Sequence, residues 1–181
     1  SGTFDYTIDW GDGTGESYNT DANISHTYAN AGDHITKITG DFPSFLNLKN
    51  TVFESKLKDV LNWGNQIFEV LGFQKSYGLS ELSATDYPNL SSNGVSFHFG
   101  FNRTNLISGL ENWDTTNITD VSYMFNNANS VNMSFANWNV EGVGGFNNFT
   151  ASATLSTANY DATLISWAAQ NVGLNKNISF G

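Results

Sequence analysis

Acidic residues beside glycine turns are the side chains of this chain whose types and spacing best suit chemistry. Asp9 and Asp12 lie in the run Asp-Trp-Gly-Asp-Gly-Thr, while Asp33 and Asp41 each follow a glycine. Carboxylates and backbone carbonyls are the oxygen ligands that calcium takes in sets of about six to eight. Aspartate in a glycine-rich turn also commonly accepts hydrogen bonds from nearby backbone N–H groups. The run therefore predicts either calcium ligands at Asp9 and Asp12 or turn-stabilising carboxylates.

A second polar run follows Trp113 and has the same two interpretations. It contains Asp114, Thr115, Asn117, Thr119 and Asp120. These side chains could bind a ligand, or they could satisfy backbone groups of a tight turn.

Other catalytic patterns do not occur in the sequence. The histidines at 26, 34 and 98 are scattered, cysteine is absent, and no H-x-x-x-H pair provides zinc ligands. There is no G-x-S-x-G nucleophile elbow, P-loop or G-x-G-x-x-G run. We therefore expect a binding or structural protein rather than an enzyme.

The charge and hydropathy of the chain limit the classes of partner that we expect. The net charge is −10, with 17 acidic and only 7 basic residues, which disfavours nucleic acid and anionic membranes. No apolar run approaches the roughly 20 residues that span a bilayer, so we expect no membrane insertion of this fragment. Because the chain runs straight from Ser1-Gly2 into a strand pattern, we expect it to be part of a longer protein.

Aromatic residues recur at nearly even steps along the chain. The steps are 24, 26, 25 and 22 residues, and they separate Trp63, Tyr87, Trp113, Trp138 and Tyr160. A unit of that length is too short to bury its own core and must pack on its neighbours. The same phase is kept by further apolar positions, namely Val95, Val121, Phe99, Phe125 and Phe149. The spacing predicts a short solenoid with these residues in its core.

Local patterns predict the elements at the two ends. Alternation of Phe4, Tyr6, Ile8 and Trp10 with polar residues predicts a half-buried strand over 3–10, ended by a glycine turn. We expect further strands over 25–28 and 34–42. A helical stripe is expected at Val52, Phe53, Leu57, Val60 and Leu61. A second stripe, capped by Ser156 or Thr157, is expected at Tyr160, Leu164, Trp167 and Ala168.

Several of these runs together resemble BspA-like leucine-rich repeat surface proteins. The run from Asn112 to Phe125, N-W-D-T-T-N-I-T-D-V-S-Y-M-F, is similar to the repeat signature of that family. The runs I-D-W-G-D-G-T at Ile8, H-T-Y-A-N-A-G at His26 and I-T-G-D-F at Ile38 resemble its N-terminal region. The run at 155–167 resembles its C-terminal cap. The run N-V-E-G-V-G-G at Asn139 departs from the signature.

The resemblance implies a leucine-rich-repeat solenoid of short parallel strands with irregular or 3₁₀ return limbs. On this view residues 1–44 form a β-hairpin N-terminal cap, and 45–79 form a junction with a helix and the first repeat. Residues 80–155 hold the repeats, and 156–181 form a C-terminal cap of helix and strand.

The resemblance also implies adhesion at the bacterial surface or outside the cell. The partner would be a protein, a peptide or a glycan of a host or neighbouring cell. If alternation holds, the outward sheet positions are Ser83, Thr85, Gly109, Glu111, Ser134 and Ala136. The alternative is a structural spacer or self-association unit, for which a homodimer is expected. An exposed aromatic patch would distinguish the two, and the residues to inspect are Tyr18, Tyr77, Phe101 and Tyr123.

Overall fold

The N-terminal region is a three-stranded antiparallel sheet. In the computed structural model, which describes residues 3–46, 56–172 and 178, the strands are β1 (Asp5–Asp9), β2 (Gly15–Tyr18) and β3 (Lys37–Asp41). Their order is β2-β1-β3. Tyr6 and Ile8 of β1 are buried while its other residues are exposed. The predicted alternation is therefore confirmed, with Trp10 also buried.

The predicted strand at 25–28 is wrong, because the chain returns along β1 much sooner. The Trp10 N–H donates to the Thr14 carbonyl at 3.0 Å, which closes a tight loop and starts β2 at Gly15. Tyr28 instead donates its hydroxyl to the Trp10 carbonyl at 3.0 Å. Gly11 permits the loop: its φ is +78°, and a Cβ there would lie 2.4 Å from the Ile35 carbonyl oxygen.

Three two-stranded parallel pairs follow. They are formed by β4 (Ser44–Leu46) with β6 (Val70–Gly72), β5 (Ile67–Phe68) with β7 (Asn89–Leu90), and β8 (Val95–Ser96) with β9 (Ile118–Asp120). The pairs belong to separate sheets of the described chain.

The predicted leucine-rich-repeat solenoid with a parallel sheet is wrong. The described residues form short strands in small separate sheets together with α1 (Thr157–Ala168). Three segments of the chain consist of successive tight turns. They follow β8, β9 and residue 143. Within one such segment, Gly100 donates to the Phe97 carbonyl and Asn102 to the Phe99 carbonyl. Because these N–H groups bond inside the segment, they cannot pair with a neighbouring strand.

Only some of the regularly spaced aromatic residues lie in the core. Trp63, Trp113 and Trp138 are buried, but Tyr87 is 49% exposed and Tyr160 is 38% exposed. Tyr87 is therefore not equivalent to Trp113. The main core is continuous from Trp63 to Trp167 and holds stacked or tilted rings, among them Phe73, Phe101, Phe125, Phe135 and Phe149.

Helix α1 closes the far end of that core. Ser156 is its N-cap and accepts a hydrogen bond from the Asn159 N–H at 3.3 Å, as predicted. Of the predicted stripe, Trp167 is buried and Leu164 is half-buried, whereas Tyr160 and Ala168 are exposed. Thr163, which the stripe did not include, is the other buried residue of the helix. Among the described residues no helix is both long and apolar enough to cross a membrane.

The helix predicted from Val52 to Leu61 lies partly outside the described residues, which do not include Val52 and Phe53. Leu57, Val60 and Leu61 are described and lie in irregular chain, so the prediction is wrong for them. The division into segments 1–44, 45–79, 80–155 and 156–181 stays a prediction.

Candidate ligand-binding surface

Three turn-rich segments, residues 95–104, 119–128 and 143–153, lie side by side and build one surface. Backbone hydrogen bonds join them in register: the Phe99 N–H donates to the Ser122 carbonyl at 3.1 Å, and the Tyr123 N–H donates to the Asn147 carbonyl at 2.8 Å. We call this the ladder surface.

The ladder surface concentrates left-handed backbone. Seven described non-glycine residues have positive φ, and they occupy two sets of equivalent positions in the hydrogen-bonded segments, which we call rows. The first row is Phe99, Tyr123 and Asn148. The second row is Lys75, Arg103, Asn127 and Ser152. In the second row, Lys75 donates to the Asn102 carbonyl and thus extends the surface by one segment. Bulky side chains seldom adopt this conformation. The rows therefore hold side chains in fixed directions at a cost in strain.

Three aromatic rings form a cluster on the first row. Phe99 and Tyr123 stack with their centroids 4.9 Å apart and an interplanar angle of 25°. The ring of His98 stands edge-on to both, 4.4 Å from Phe99 and 5.6 Å from Tyr123. Phe99 and Tyr123 are half-buried and His98 is exposed, so the three-ring cluster is partly accessible to solvent.

Asp120 flanks the three-ring cluster and is held in place. Its Oδ2 lies 3.4 Å from Nδ1 of His98, and its Oδ1 accepts the Ser122 N–H at 2.8 Å. Gly145 leaves room for this carboxylate, because a Cβ there would lie 2.4 Å from Oδ1. The Asp120 prediction left turn stabilisation and ligand binding open, and the structure shows the turn bond together with a partly exposed carboxylate.

The opposite end of the ladder surface carries positive charge and amides. Lys75 and Arg103 are neighbours in the second row, and neither forms an ion pair with any described residue. Beside them, Nδ2 of Asn102 donates to the Asn126 carbonyl at 2.7 Å, and Nδ2 of Asn127 donates to Oδ1 of Asn126 at 2.6 Å. The surface thus passes from a carboxylate, through aromatic rings, to two cations.

The sequence pointed to a different set of binding residues, and most of these are engaged in internal hydrogen bonds. Ser83 donates its N–H to Asp59 at 2.8 Å, and the Gly109 N–H donates to Glu111 at 2.8 Å. Ser134 accepts from the Ala136 N–H, and the Ala136 carbonyl accepts from the helix residue Ser166. Thr85 is exposed. Ligand binding at these positions stays a prediction, but their polar groups are largely committed to the fold.

The two predicted calcium ligands both stabilise turns. Asp9 accepts the Gly11 N–H at 2.9 Å, and Asp12 accepts the N–H and hydroxyl of Thr14 at 3.0 and 2.6 Å. The second oxygen of Asp12 lies 2.8 Å from Nε2 of His26. The Thr14 hydroxyl, followed by His26, lowers the pKa of Asp12 to about 2. In the described part of the chain no group of three or more acidic, histidine or cysteine side chains is arranged to hold a metal.

The four aromatic residues chosen for inspection differ in exposure. Phe101 is fully buried, Tyr77 is 38% exposed, and Tyr18 and Tyr123 are half-buried. Sequence reasoning missed Phe99, which it placed in the core twelve residues after Tyr87. Register shows instead that Phe101 is the counterpart of Phe125, since the Phe101 N–H donates to the Met124 carbonyl and the two rings stack at 5.7 Å.

A separate open pocket of about 290 Å³ lies beside α1 and is lined by Asn137, Trp138, Asn139, Glu141 and Gln170. Its polar groups attach the helix to the body. Gln170 accepts from the Val140 N–H at 2.8 Å and donates to the Trp138 carbonyl at 2.7 Å. These hydrogen bonds make the pocket a junction between the chain after α1 and the turn around Trp138.

Comparison with known proteins finds one match for part of the chain. A family profile described as "Mycoplasma protein of unknown function, DUF285" matches residues 94–179. The match covers a little under half of the 181 residues and includes the three-ring cluster and Arg103. No curated protein and no solved structure matches the chain. The description of the profile assigns no activity.

Proposed function

We propose that this chain is a ligand-binding, adhesive module of a bacterial cell-surface or secreted protein, related to the BspA-like surface proteins. Its binding surface would be the ladder surface, and its partner a protein, peptide or glycan of a host or neighbouring cell. The resemblance of the sequence runs to that family supports the bacterial surface. The match of residues 94–179 to a mycoplasma family is consistent with a bacterial setting.

The stacked pair of Phe99 and Tyr123 is the observation that carries the proposal. Both residues have left-handed backbone, with φ of 59° and 57°, and such strain costs about 1–3 kcal/mol per residue. A stacked pair returns about 0.5–1.5 kcal/mol beyond its buried area. Asparagine, which tolerates this conformation, occupies the next position of the row at Asn148. The strain offsets most of what the stacked rings contribute, so stability alone does not favour aromatic residues over asparagine here, whereas a surface role does.

The chemistry of the surface suits reversible binding. Exposed aromatic faces contact apolar parts of a partner, whereas their rims and neighbours hydrogen-bond. Asp120 and the Asn126–Asn127 amides supply acceptors and donors on either side of the rings. Because the left-handed rows fix the ring positions before binding, little conformational entropy is lost when a partner docks.

An array of glycans and peptides, probed with the purified chain, tests the proposal. The parent is compared with the double variant Phe99→Asn/Tyr123→Asn. Asparagine tolerates the left-handed backbone that both positions require. We expect saturable binding by the parent and loss of binding by the variant, which circular dichroism should show to be folded. Equal binding by the two proteins would contradict the site, and no binding by the folded parent would favour the spacer or self-association alternative.

Calcium is an independent part of the proposal, at Asp9 and Asp12. The same array run with calcium and again with EDTA tests it, with Asp12→Ala as the variant. If calcium supports the fold or the site, EDTA weakens binding by the parent, and Asp12→Ala removes that sensitivity. Binding indifferent to EDTA in both proteins would leave Asp9 and Asp12 as turn residues only.

A further inference from the structure

We infer that the ladder surface recognises an acidic saccharide, with a sugar ring on Phe99 and Tyr123 and its carboxylate at Arg103 and Lys75. The inference rests on the proposed function and specifies its ligand. It follows from the order in which three kinds of side chain occur along the surface.

The aromatic pair and the cations follow one another along the ladder surface. Phe99 and Arg103 are four residues apart in one segment, both with φ of 59°. Tyr123 and Asn127 repeat this separation in the neighbouring segment, with φ of 57° and 58° and in hydrogen-bonded register. A sugar ring that lies on the aromatic pair would therefore have Arg103 as its next exposed left-handed neighbour in the segment.

The local charge opposes the charge of the whole chain. Only 7 lysines and arginines accompany 17 acidic residues, yet Lys75 and Arg103 are neighbours and have no ion-pair partner among the described residues. At physiological salt, charges more than about 8 Å apart at the surface are largely screened. Two adjacent cations without an ion-pair partner favour an anion, and guanidinium binds a carboxylate with paired hydrogen bonds.

The carboxylate at the other end selects for hydroxyl groups. One oxygen of Asp120 accepts a hydrogen bond from the Ser122 N–H, and the other faces His98. The carboxylate can therefore also accept a hydrogen bond from a sugar hydroxyl beyond the rings. An acidic peptide long enough to cover the rings would bring its own carboxylates toward Asp120, where like charges repel. A sugar whose carboxylate lies at Arg103 and Lys75 places the hydroxyl groups of its opposite side there instead.

Calorimetric titration with matched saccharides tests the inference. The probes are galacturonate, mannuronate and hyaluronan tetrasaccharides, each with its carboxyl-reduced form, and a tetra-aspartate peptide. For at least one acidic tetrasaccharide, we expect binding about tenfold or more tighter than for its reduced form. The preference should weaken as salt is raised, because it depends on charge.

The variant Lys75→Asn/Arg103→Asn should abolish that preference by lowering the affinity for the acidic saccharide to that for its reduced form. Asparagine suits both positions, since Asn127 occupies the same row. The control Lys37→Thr removes an exposed charge from β3 of the N-terminal sheet and should keep the preference. Equal affinity for acidic and reduced forms, a preference that survives the double variant, or tighter binding of the peptide would overturn the inference.

The two proposals fail in different ways. If Phe99→Asn/Tyr123→Asn weakens binding while Lys75→Asn/Arg103→Asn does not, the binding surface stands and its acidic ligand does not. If neither pair affects binding, the ladder surface itself is not the site.

Discussion

Backbone conformation at single residues explains why the ladder surface is distinctive. The rows at Phe99 and Arg103 place bulky side chains where φ is near +59°, a region that asparagine and glycine occupy at lower cost. Residues of one row face the same way because their segments are hydrogen-bonded in register. Side-chain identity along a row can therefore change with little effect on the fold beneath it.

Replacement of Tyr123 by asparagine should separate function from stability. Relief of left-handed strain and loss of the stack with Phe99 oppose each other, so the free energy of unfolding should change by less than about 1 kcal/mol. Phe101→Ala, at a buried neighbour with no exposed surface, should cost about 3–5 kcal/mol. Urea denaturation of both variants measures this, and a large loss in Tyr123→Asn would show that the ring is structural.

Asp12 should make stability depend on pH in the acid range. Its pKa is lowered to about 2, mainly by the Thr14 hydroxyl and then by His26. A carboxyl with a lowered folded pKa stabilises the fold above its unfolded value near 3.8, and that contribution is lost as pH falls toward 2. The melting temperature of the parent should therefore fall more steeply between pH 4 and pH 2 than that of Asp12→Asn. Parallel curves for the two proteins would contradict this role.

At the scale of elements, helix α1 is attached by hydrogen bonds as well as by apolar packing. The Thr163 hydroxyl accepts the Phe135 N–H at 3.0 Å and donates to the Asn159 carbonyl at 2.7 Å, and it is fully buried. The indole N–H of Trp167 donates to the Phe135 carbonyl at 2.8 Å. The backbone N–H and carbonyl of Phe135 thus both form hydrogen bonds with the helix. These two bonds fix the position of the helix on the rest of the fold.

Thr163→Val keeps the shape of the side chain but leaves the buried Phe135 N–H without its acceptor. We expect a loss of about 1–3 kcal/mol in the free energy of unfolding. Thr157→Val makes the same chemical change at an exposed position of α1 and should cost less than about 0.5 kcal/mol. Similar losses in the two variants would mean that the hydroxyl of Thr163 does not hold the helix.

The sequence predicted elements well where a local pattern of adjacent residues determines them. It predicted them poorly where the hydrogen-bond register between distant segments determines them. Alternation located β1, and Ser156 located the start of α1, because both depend on adjacent residues. The solenoid failed because spacing of about 24 residues does not reveal turns that use up the N–H groups of a strand. Phe99 was missed for a related reason. Tyr87 is exposed and is not equivalent to Trp113, so the residue twelve positions after it, Phe99, lies two positions before the core residue Phe101.

At the scale of the whole molecule, two hydrophobic clusters meet at one residue. The N-terminal sheet buries Tyr6, Ile8 and Trp10, and the main core is separate. Phe42 packs against both clusters, with its ring 4.9 Å from Tyr6 and 6.3 Å from Phe45. Its N–H donates to Gln66 at 2.8 Å. The exposed ion pair between Lys58 and Asp33 also joins the two parts, but such pairs contribute at most about 1 kcal/mol.

Phe42→Ala should weaken the coupling between the two clusters. Because the side chain is half-buried, we expect a loss of about 2 kcal/mol and unfolding of the N-terminal sheet before the main core. Hydrogen exchange measures this through earlier loss of protection in β1 than in residues 95–128. Tyr18→Ala, which touches only the smaller cluster, serves as the control that destabilises the sheet without removing the junction. Simultaneous loss of protection throughout the Phe42 variant would contradict the coupling role.

The most direct test of the account compares the two candidate binding faces in one experiment. The tightest ligand from the array is titrated into the parent, into Phe99→Asn/Tyr123→Asn, and into Glu111→Lys/Ser134→Lys, which alters the face that the sequence indicated. We predict that the first variant loses binding and that the second keeps the affinity of the parent. Retained binding in the aromatic variant, with loss in the lysine variant, would place the site on the other face and contradict binding at the ladder surface.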